Sequence, residues 1–149
     1  MIRVYTDGSC LPNGVGGWGF IILPSPITNY TEYQVCGAHD DTTNNRMELQ
    51  AVIEALSFEI PNLTQKPFSF KIYTDSKLTM NCAKGDWKRK ANLDLWTIYD
   101  SVSKGKRIEW EWVKAHNNDH YNEQVDKLAN GISNELANEL KGLSKQSRF

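Results

Sequence analysis

The sequence predicts an α/β fold with a mixed five-stranded sheet of order 3-2-1-4-5 and helices on both faces. Two observations lead to this prediction. Strand-like and helix-like segments follow one another in the order βββαβααβα, and the first helix stands between the third and fourth strands. A helix in that position lets the fourth strand lie parallel to the first through a right-handed crossover. The fifth strand then adds beyond the fourth.

Length and composition are those of one ordinary globular domain. The chain has 149 residues, of which 40% are apolar and 23% charged, close to the averages for such domains. No apolar run approaches the ~20 residues of a membrane helix, and the strand pattern at the start leaves no room for a signal peptide. Three widely spaced cysteines suggest reduced thiols rather than disulfides. We expect a monomeric cytoplasmic protein, with one domain over 1–140 and a flexible tail over 141–149.

The first three strands are predicted to form a meander. Residues 1–7 read as a strand that ends at Asp7, and the glycine-rich stretch 12–17 reads as a turn. The alternating segments 18–23 and 30–37 supply the second and third strands.

The rest of the chain alternates between helices and strands. Met47, Ala51 and Ala55 share one face at helical spacing. We predict helices over 45–58, 76–84, 94–103 and 122–140, and strands over 68–75 and 108–112. Because the first and fourth strands are parallel, Asp7 and Asp75 should lie at the same edge of the sheet, where open α/β sheets bind ligands.

Two carboxylates at adjacent strand ends have an ordinary explanation, since Asp often caps a turn or a helix. Other acids are also available for a site: Asp40, Asp41, Asp94, Asp119 and Glu123. The residues around Asp7 and Asp75 decide between these interpretations.

Four carboxylates each lie within a distinctive block of sequence. The blocks are Tyr5-Thr6-Asp7-Gly8-Ser9-Cys10, Thr42-Thr43-Asn44-Asn45-Arg46-Met47-Glu48-Leu49, Tyr73-Thr74-Asp75-Ser76-Lys77 and Asn122-Glu123-Gln124-Val125-Asp126-Lys127-Leu128-Ala129. In this order they resemble the type 1 ribonuclease H family, from residue 1 to about 130. The last block also looks like the retroviral members.

The resemblance implies the ribonuclease H fold and an endonuclease that hydrolyses the RNA strand of an RNA–DNA hybrid. It implies two Mg²⁺ ions, with Mn²⁺ as a substitute, and products with 5′-phosphate and 3′-hydroxyl ends. Hard divalent cations prefer oxygen ligands, and such a pair needs one bridging carboxylate. By resemblance, Asp7 bridges the ions, Asp126 holds the ion that activates water, and Glu48 and Asp75 hold the ion beside the leaving oxygen.

The loop before the last helix contains two histidines, and a solvated loop histidine is the ordinary interpretation of each. The family carries a histidine ten positions before its last carboxylate, and His116 stands in that relation to Asp126. The resemblance therefore implies that His116 assists proton transfer or product release, with His120 as the rival. It gives Glu123 a supporting position beside the metal ligands.

The resemblance also implies a set of contacts to the hybrid. Asparagines beside the active site, together with Glu48 and backbone near Cys10, would meet 2′-hydroxyls, the groups that distinguish RNA from DNA. A helix cap is an alternative role for Asn44 and Asn45. The implied substrate-binding residues are Asn13, Thr43, Asn44, Asn45, Lys77, Trp87 and Asn92. Thr43 and Asn92 would form the DNA-phosphate pocket, Trp87 would stack on a DNA sugar, and Lys77 stands where relatives often have Gln. Trp96, Trp110 and Trp112 are expected in the core.

The segment 84–90 is the candidate for further phosphate contact. It holds Lys88, Arg89 and Lys90 around Trp87, although a charge run is often only a solvated face. Relatives with a basic protrusion are longer here, so this chain resembles a short-protrusion member. With a net charge of -1, we expect weak, salt-sensitive substrate binding.

Two other functions remain open on the sequence alone. One is a hybrid-binding module without catalysis, against which the complete carboxylate set argues. The other is a different nuclease or recombinase of the same fold, against which the block around Glu48 argues.

Overall fold

The computed structural model describes residues 1–25, 31–61, 63, 67–115 and 117–146. The strands are β1 (Ile2–Cys10), β2 (Gly16–Ile22), β3 (Tyr33–His39), β4 (Ser69–Thr74) and β5 (Arg107–Trp112). The helices are α1 (Asn44–Ser57), α2 (Lys77–Lys84), α3 (Leu93–Ser103) and α4 (His120–Gln146). The sheet order is β3-β2-β1-β4-β5, which confirms the prediction.

The sheet is antiparallel on one side and parallel on the other. β1 pairs antiparallel with β2, and β2 with β3. β1 pairs parallel with β4, and β4 with β5. The expectation that the first strand ends at Asp7 is wrong, because β1 keeps pairing with β2 as far as Cys10 opposite Gly16. Only its parallel pairing with β4 ends before Asp7, at Tyr5 opposite Tyr73.

Helices cover both faces of the sheet, as predicted. Side chains alternate along β1, so that Ile2 and Val4 join one core cluster and Tyr5 joins the other. The first cluster contains side chains of α1, α2 and α3, and the second contains Val125 of α4.

α4 lies very close to the sheet. A Cβ at Gly17 would lie 2.3 Å from the carbonyl oxygen of Ala129, so only glycine allows this approach. α4 also continues past Leu140 to Gln146, which makes most of the expected tail helical. Among the residues that the structure describes, no helix is long and apolar enough to cross a membrane.

Two of the three tryptophans expected in the core lie there. Trp96 is 6% exposed, and Trp110 packs against the same cluster. The expectation for Trp112 is wrong, because its side chain is 39% exposed. It is the last residue of β5, an edge strand, where the ammonium of Lys77 lies 4.3 Å from the ring centroid.

Candidate active site

Three of the predicted carboxylates form one cluster. Asp7, Glu48 and Asp75 each present a carboxylate oxygen, and these oxygens lie within 4.8 Å of one another. β1 supplies Asp7, α1 supplies Glu48, and Asp75 directly follows the last residue of β4. The cluster therefore joins two strands and one helix that are far apart in sequence.

The register of the sheet explains why Asp7 and Asp75 meet. Tyr5 pairs with Tyr73 in the parallel ladder, so the two aspartates stand at equivalent positions two residues further on. Gly8 brings in the third group, since a Cβ there would lie 2.3 Å from the backbone nitrogen of Glu48. The absence of a side chain at Gly8 lets α1 rest directly on β1.

The cluster is buried, and its charges oppose one another. Asp7 is 2% exposed and Glu48 6% exposed. Burial, followed by the charge of Asp75, raises the pKa of Asp7 to about 8, although the Gly8 N–H donates to Asp7 Oδ1 at 2.9 Å. Burial, followed by the charge of Asp7, raises the pKa of Glu48 well above its usual value. Without a cation, these carboxyls cannot all ionise at neutral pH without a large cost.

Asp126 approaches the cluster from α4, which packs on the face of the sheet opposite to α1. It lies on α4 and is half-buried, and its carboxyl is near enough to Asp7 to raise the pKa of that residue. Beside it is a cavity of about 190 Å³, lined by Asp75, Ala115, Asn122, Glu123, Asp126 and Lys127. All four carboxylates that the sequence singled out are thus brought to one place.

The cluster has the chemistry of a hard-cation site. Glu48 Oε2 is buried and has no hydrogen-bond partner among the residues that the structure describes, and such an oxygen is costly unless something positive binds it. Carboxylate oxygens are the ligands that Mg²⁺ and Mn²⁺ prefer. The residues present therefore fit a divalent metal ion.

The predicted 2′-hydroxyl contacts lie on the surface around the start of α1. Asn13, Asn44 and Asn45 are exposed, and Asn13 Oδ1 accepts from the Val15 N–H at 3.0 Å. The helix-cap alternative for Asn44 and Asn45 is wrong, because Thr43 is the N-cap and its Oγ1 accepts from the Arg46 N–H at 3.3 Å. The two asparagine side chains of the first turn are thereby left to face solvent.

The residues expected to contact DNA lie at the N-cap of α1, just after α2 and at the start of α3. Asn92 caps α3 with a left-handed φ of 56°, and its Oδ1 accepts from Arg46 Nη1 at 3.3 Å. Trp87 is 48% exposed just after α2. Lys77, a predicted substrate contact assigned to neither strand of the hybrid, begins α2 with its ammonium over Trp112.

The basic segment does not act as one surface. Lys88 and Lys90 are exposed, whereas Arg89 turns inward. Its guanidinium stacks 4.2 Å from the Trp96 ring centroid, its Nε donates to the Cys82 carbonyl at 3.1 Å, and its Nη1 pairs with Asp100 at 2.8 Å. The expectation of phosphate contact is therefore wrong for Arg89, because its donors bind within the protein.

The structure describes one of the two histidines of the predicted loop before α4. His116 lies outside the described residues, so its role stays a prediction. His120 is exposed at the first position of α4, with its ring 5.2 Å from that of Tyr121. Glu123 is exposed and lines the cavity beside Asp126.

Sequence reasoning missed two hydrogen bonds beside the site. The Trp112 Nε1–H donates to the Asp75 carbonyl at 3.2 Å, and the Tyr5 hydroxyl donates to Asp119 Oδ2 at 3.1 Å. Asp119 stands three residues before Asn122, a spacing typical of a helix cap. No local pattern pointed to Tyr5 or Trp112, because each bond joins residues far apart in the chain.

Comparison with known proteins identifies the family. The sequence model of the family described as RNase H matches residues 1–134. The chain is 43% identical over 139 residues to "Ribonuclease HI" of Campylobacter jejuni, covering 86% of this chain and 88% of the relative. It is 42% identical over 139 residues to "Ribonuclease H" of Ehrlichia ruminantium, covering 86% and 91%.

Solved structures show the same fold. The N-terminal RNase H domain of a Mycobacterium tuberculosis protein, solved as a fusion with maltose-binding protein, superposes with a TM-score of 0.75 at 24% identity, covering 94% of this chain and 99% of that one. LC9-RNase H1, described as a type 1 RNase H with the type 2 active-site motif, gives a TM-score of 0.73 at 30% identity, covering 90% and 72%. With a family match over most of its length and relatives above 40% identity, this chain belongs to the ribonuclease H family, as a type 1 member, and is an RNase H hydrolase.

Proposed function

We propose that the protein is an endonuclease that hydrolyses the RNA strand of RNA–DNA hybrids with two divalent metal ions, leaving 5′-phosphate and 3′-hydroxyl ends. Mg²⁺ is the proposed metal and Mn²⁺ a substitute. The observation that supports this most strongly is the buried cluster of Asp7, Glu48 and Asp75, with Asp126 in contact.

A structural or purely binding role does not account for this cluster. Several like charges packed together at low exposure destabilise the fold unless a cation neutralises them. A module that only binds a hybrid needs positive or neutral contacts to phosphates and sugars. Mutually repelling buried carboxylates are useful where metal ions must be held.

The carboxylates divide the proposed metal site between them. Asp7 is central, since Glu48, Asp126 and Asp75 all act on its pKa, and it would be a ligand that both ions share. Asp126 would hold one ion, while Glu48 and Asp75 would hold the other. When bound, the ions supply activation of the attacking water and stabilisation of the leaving 3′ oxygen.

The surface beside the cluster suits recognition of an RNA strand. Asn13, Asn44 and Asn45 are exposed amides, and an amide can both donate to and accept from a 2′-hydroxyl. We propose that these side chains, with Glu48, contact consecutive ribonucleotides around the cut.

The DNA strand would be held through its phosphates. Thr43 and Asn92 are proposed to bind one phosphate. Because Arg46 donates to Asn92 Oδ1, the Asn92 amide NH₂ remains to donate to a phosphate oxygen. The exposed ring of Trp87 would pack on a sugar.

Exposed lysines of α2 and of the segment that follows it would add attraction to phosphates. Lys77, Lys88 and Lys90 are exposed, and each neutralised phosphate makes binding more sensitive to salt. In the loop before α4, His116 is proposed to assist proton transfer near the leaving group, on its spacing from Asp126.

The protein is also proposed to work as a cytoplasmic monomer. One chain supplies all four carboxylates. Its cysteines Cys10, Cys36 and Cys82 are free thiols, as a reducing compartment would keep them.

The test compares four labelled substrates at equal enzyme, with Mg²⁺ and Mn²⁺ titrated separately. These are a uniform hybrid, a DNA duplex with one embedded ribonucleotide, duplex DNA and a four-way junction. Each unpaired polar group costs roughly 1–3 kcal/mol, so the absence of two 2′-hydroxyl partners should slow cleavage of the lone ribonucleotide by between tens-fold and roughly ten-thousand-fold. Product ends are checked by ligation.

Two variants connect this comparison to the asparagines. Asn45→Ala should reduce cleavage of the uniform hybrid, while Asn138→Ala, which removes an exposed asparagine from the far part of α4, should not. Equal cleavage of the hybrid and the lone ribonucleotide would contradict the proposed contacts. Cleavage of the junction in preference to the hybrid would favour a different nuclease function.

A further inference from the structure

A long-range hydrogen bond ties the central strand to the start of the last helix. The Tyr5 hydroxyl of β1 donates to Asp119 Oδ2 at 3.1 Å, across 114 residues of sequence. Burial, followed by the charge of Asp119, raises the pKa of Tyr5, so the phenol stays a donor at neutral pH. The bond thus joins two segments that each carry a carboxylate of the proposed metal site.

Asp119 uses its other oxygens to organise the first turn of α4. Its Oδ1 accepts from the Asn122 N–H at 3.0 Å, and its backbone carbonyl accepts from the Glu123 N–H at 2.9 Å. An Asp in this position stabilises a helix start by satisfying amides that would otherwise lack partners. The rotamer that caps α4 is therefore the same one that accepts from Tyr5.

The Tyr5 ring itself has little freedom to move. It stacks on Tyr73 with centroids 4.4 Å apart and planes 5° apart, and it lies 5.5 Å from the ring of Tyr121 on α4. Tyr5 is 7% exposed, and Val125 in the same cluster is fully buried. The hydroxyl is thus held at a defined point against the sheet.

Both ends of this hydrogen bond lie close to the carboxylates. Asp7 follows Tyr5 by two residues on β1, and Asp126 lies two helical turns after Asp119. We propose that Tyr5, acting through Asp119, is a positioning residue that holds the start of α4 so that Asp126 faces Asp7 and the site binds divalent cations tightly. This inference rests on the proposed metal-dependent function.

The matched pair of variants is Tyr5→Phe and Tyr73→Phe. Each removes one phenolic oxygen from the same stacked pair and keeps the ring. Of these two hydroxyls, only that of Tyr5 bonds to Asp119 within the part of the chain that the structure describes. A role confined to core packing would give both variants the same behaviour.

The measurements are Mn²⁺ binding by calorimetry, thermal unfolding in chelator, and hydrogen exchange of the Asn122 and Glu123 amides. Direct partners of metal ligands contribute about 10- to 100-fold to affinity, and this hydrogen bond lies one step further out. We therefore expect Tyr5→Phe to weaken Mn²⁺ binding by roughly 3- to 10-fold and to speed exchange of both amides. Tyr73→Phe should leave both unchanged.

A second variant distinguishes the Tyr5–Asp119 hydrogen bond from the capping of α4 by Asp119. Asp119→Ser keeps a good N-cap residue, but its short side chain cannot also reach Tyr5, so its Mn²⁺ affinity should match that of Tyr5→Phe. It also serves if Tyr5→Phe folds poorly. Equal Mn²⁺ affinity in Tyr5→Phe, Tyr73→Phe and the unmodified protein would overturn this inference and leave the proposed function untouched. Failure of the unmodified protein to bind Mn²⁺ would instead overturn the proposed function, and this inference with it.

Discussion

Asp7→Asn should abolish cleavage and, in the absence of metal, make the protein more stable. Asp7 is the central carboxylate of the buried cluster, in contact with Glu48 and Asp126. Asparagine has nearly the same shape, and its Oδ1 can still accept from the Gly8 N–H, which now lies 2.9 Å from Asp7 Oδ1. The substitution therefore removes a repelling charge while keeping the local hydrogen bond.

The pKa of Asp7 sets the size of this effect. Its pKa rises from 3.8 to about 8 in the folded protein, and each unit is worth 1.36 kcal/mol. The full shift corresponds to a loss of at most about 6 kcal/mol in the free energy of unfolding at pH 8. The other carboxyls of the cluster continue to repel one another in the variant. We therefore expect Asp7→Asn to raise the free energy of unfolding by about 2–4 kcal/mol, which corresponds to a rise in Tm of roughly 5–15 °C.

The sign of the pH dependence follows from the direction of the shift. Since the folded state holds the proton of Asp7 more tightly than the unfolded state does, the unmodified protein loses stability as pH rises from about 4 to about 8. Asparagine does not titrate. The stability advantage of Asp7→Asn should therefore be absent at pH 4, grow through this window and be complete near pH 8.

The assay is thermal unfolding from pH 4 to pH 8 in chelator, repeated with Mg²⁺, alongside hybrid cleavage. Asp40→Asn is the matched control, since it removes the same charge from an exposed position after β3. Mg²⁺ should stabilise the unmodified protein but not Asp7→Asn. The reasoning is refuted if Asp7→Asn is no more stable than Asp40→Asn at pH 8 without metal, or if it retains near-normal turnover.

Two further predictions concern the basic segment. Replacing both Lys88 and Lys90 with Ala should weaken binding to all hybrid sequences alike. The slope of log K against log salt concentration should flatten by at most about 0.9 for each phosphate that is no longer neutralised. Filter binding at several salt concentrations measures this slope, and an unchanged slope would mean that both lysines are only solvated. Arg89→Ala should instead lower the free energy of unfolding by about 1–2 kcal/mol, because it removes the stack on Trp96 and a backbone hydrogen bond. Denaturant unfolding checks that value, and an unchanged midpoint with reduced hybrid affinity would restore Arg89 to the binding surface.

Much of the fold could be predicted because its signals are local. Alternation marks strands and 3.6-residue spacing marks helices, and the one rule of crossover handedness then orders the sheet. The meeting of Asp7 and Asp75 followed from that order. Asp126 and Glu48 came from their surrounding blocks, since periodicity alone does not tell which acid on a helix turns toward a neighbouring strand.

The errors arose where a distant partner decides the outcome. Arg89 looks like part of a basic run, but Asp100 and Trp96 draw it inward. Trp112 looks like a core residue by alternation, but it ends an edge strand and is exposed.

By itself, the sequence determined the order of elements and the sheet topology, and its resemblance to a known family singled out the four carboxylates. The order and the topology depend on residues a few positions apart or on a general rule of chain connection. Only the tertiary structure decided that β1 continues past Asp7, that Glu48 is buried with one oxygen unpaired among the described residues, and that the Tyr5 hydroxyl donates to Asp119. These features depend on distances between segments separated by tens of residues, and those distances are set only when the helices pack on the sheet.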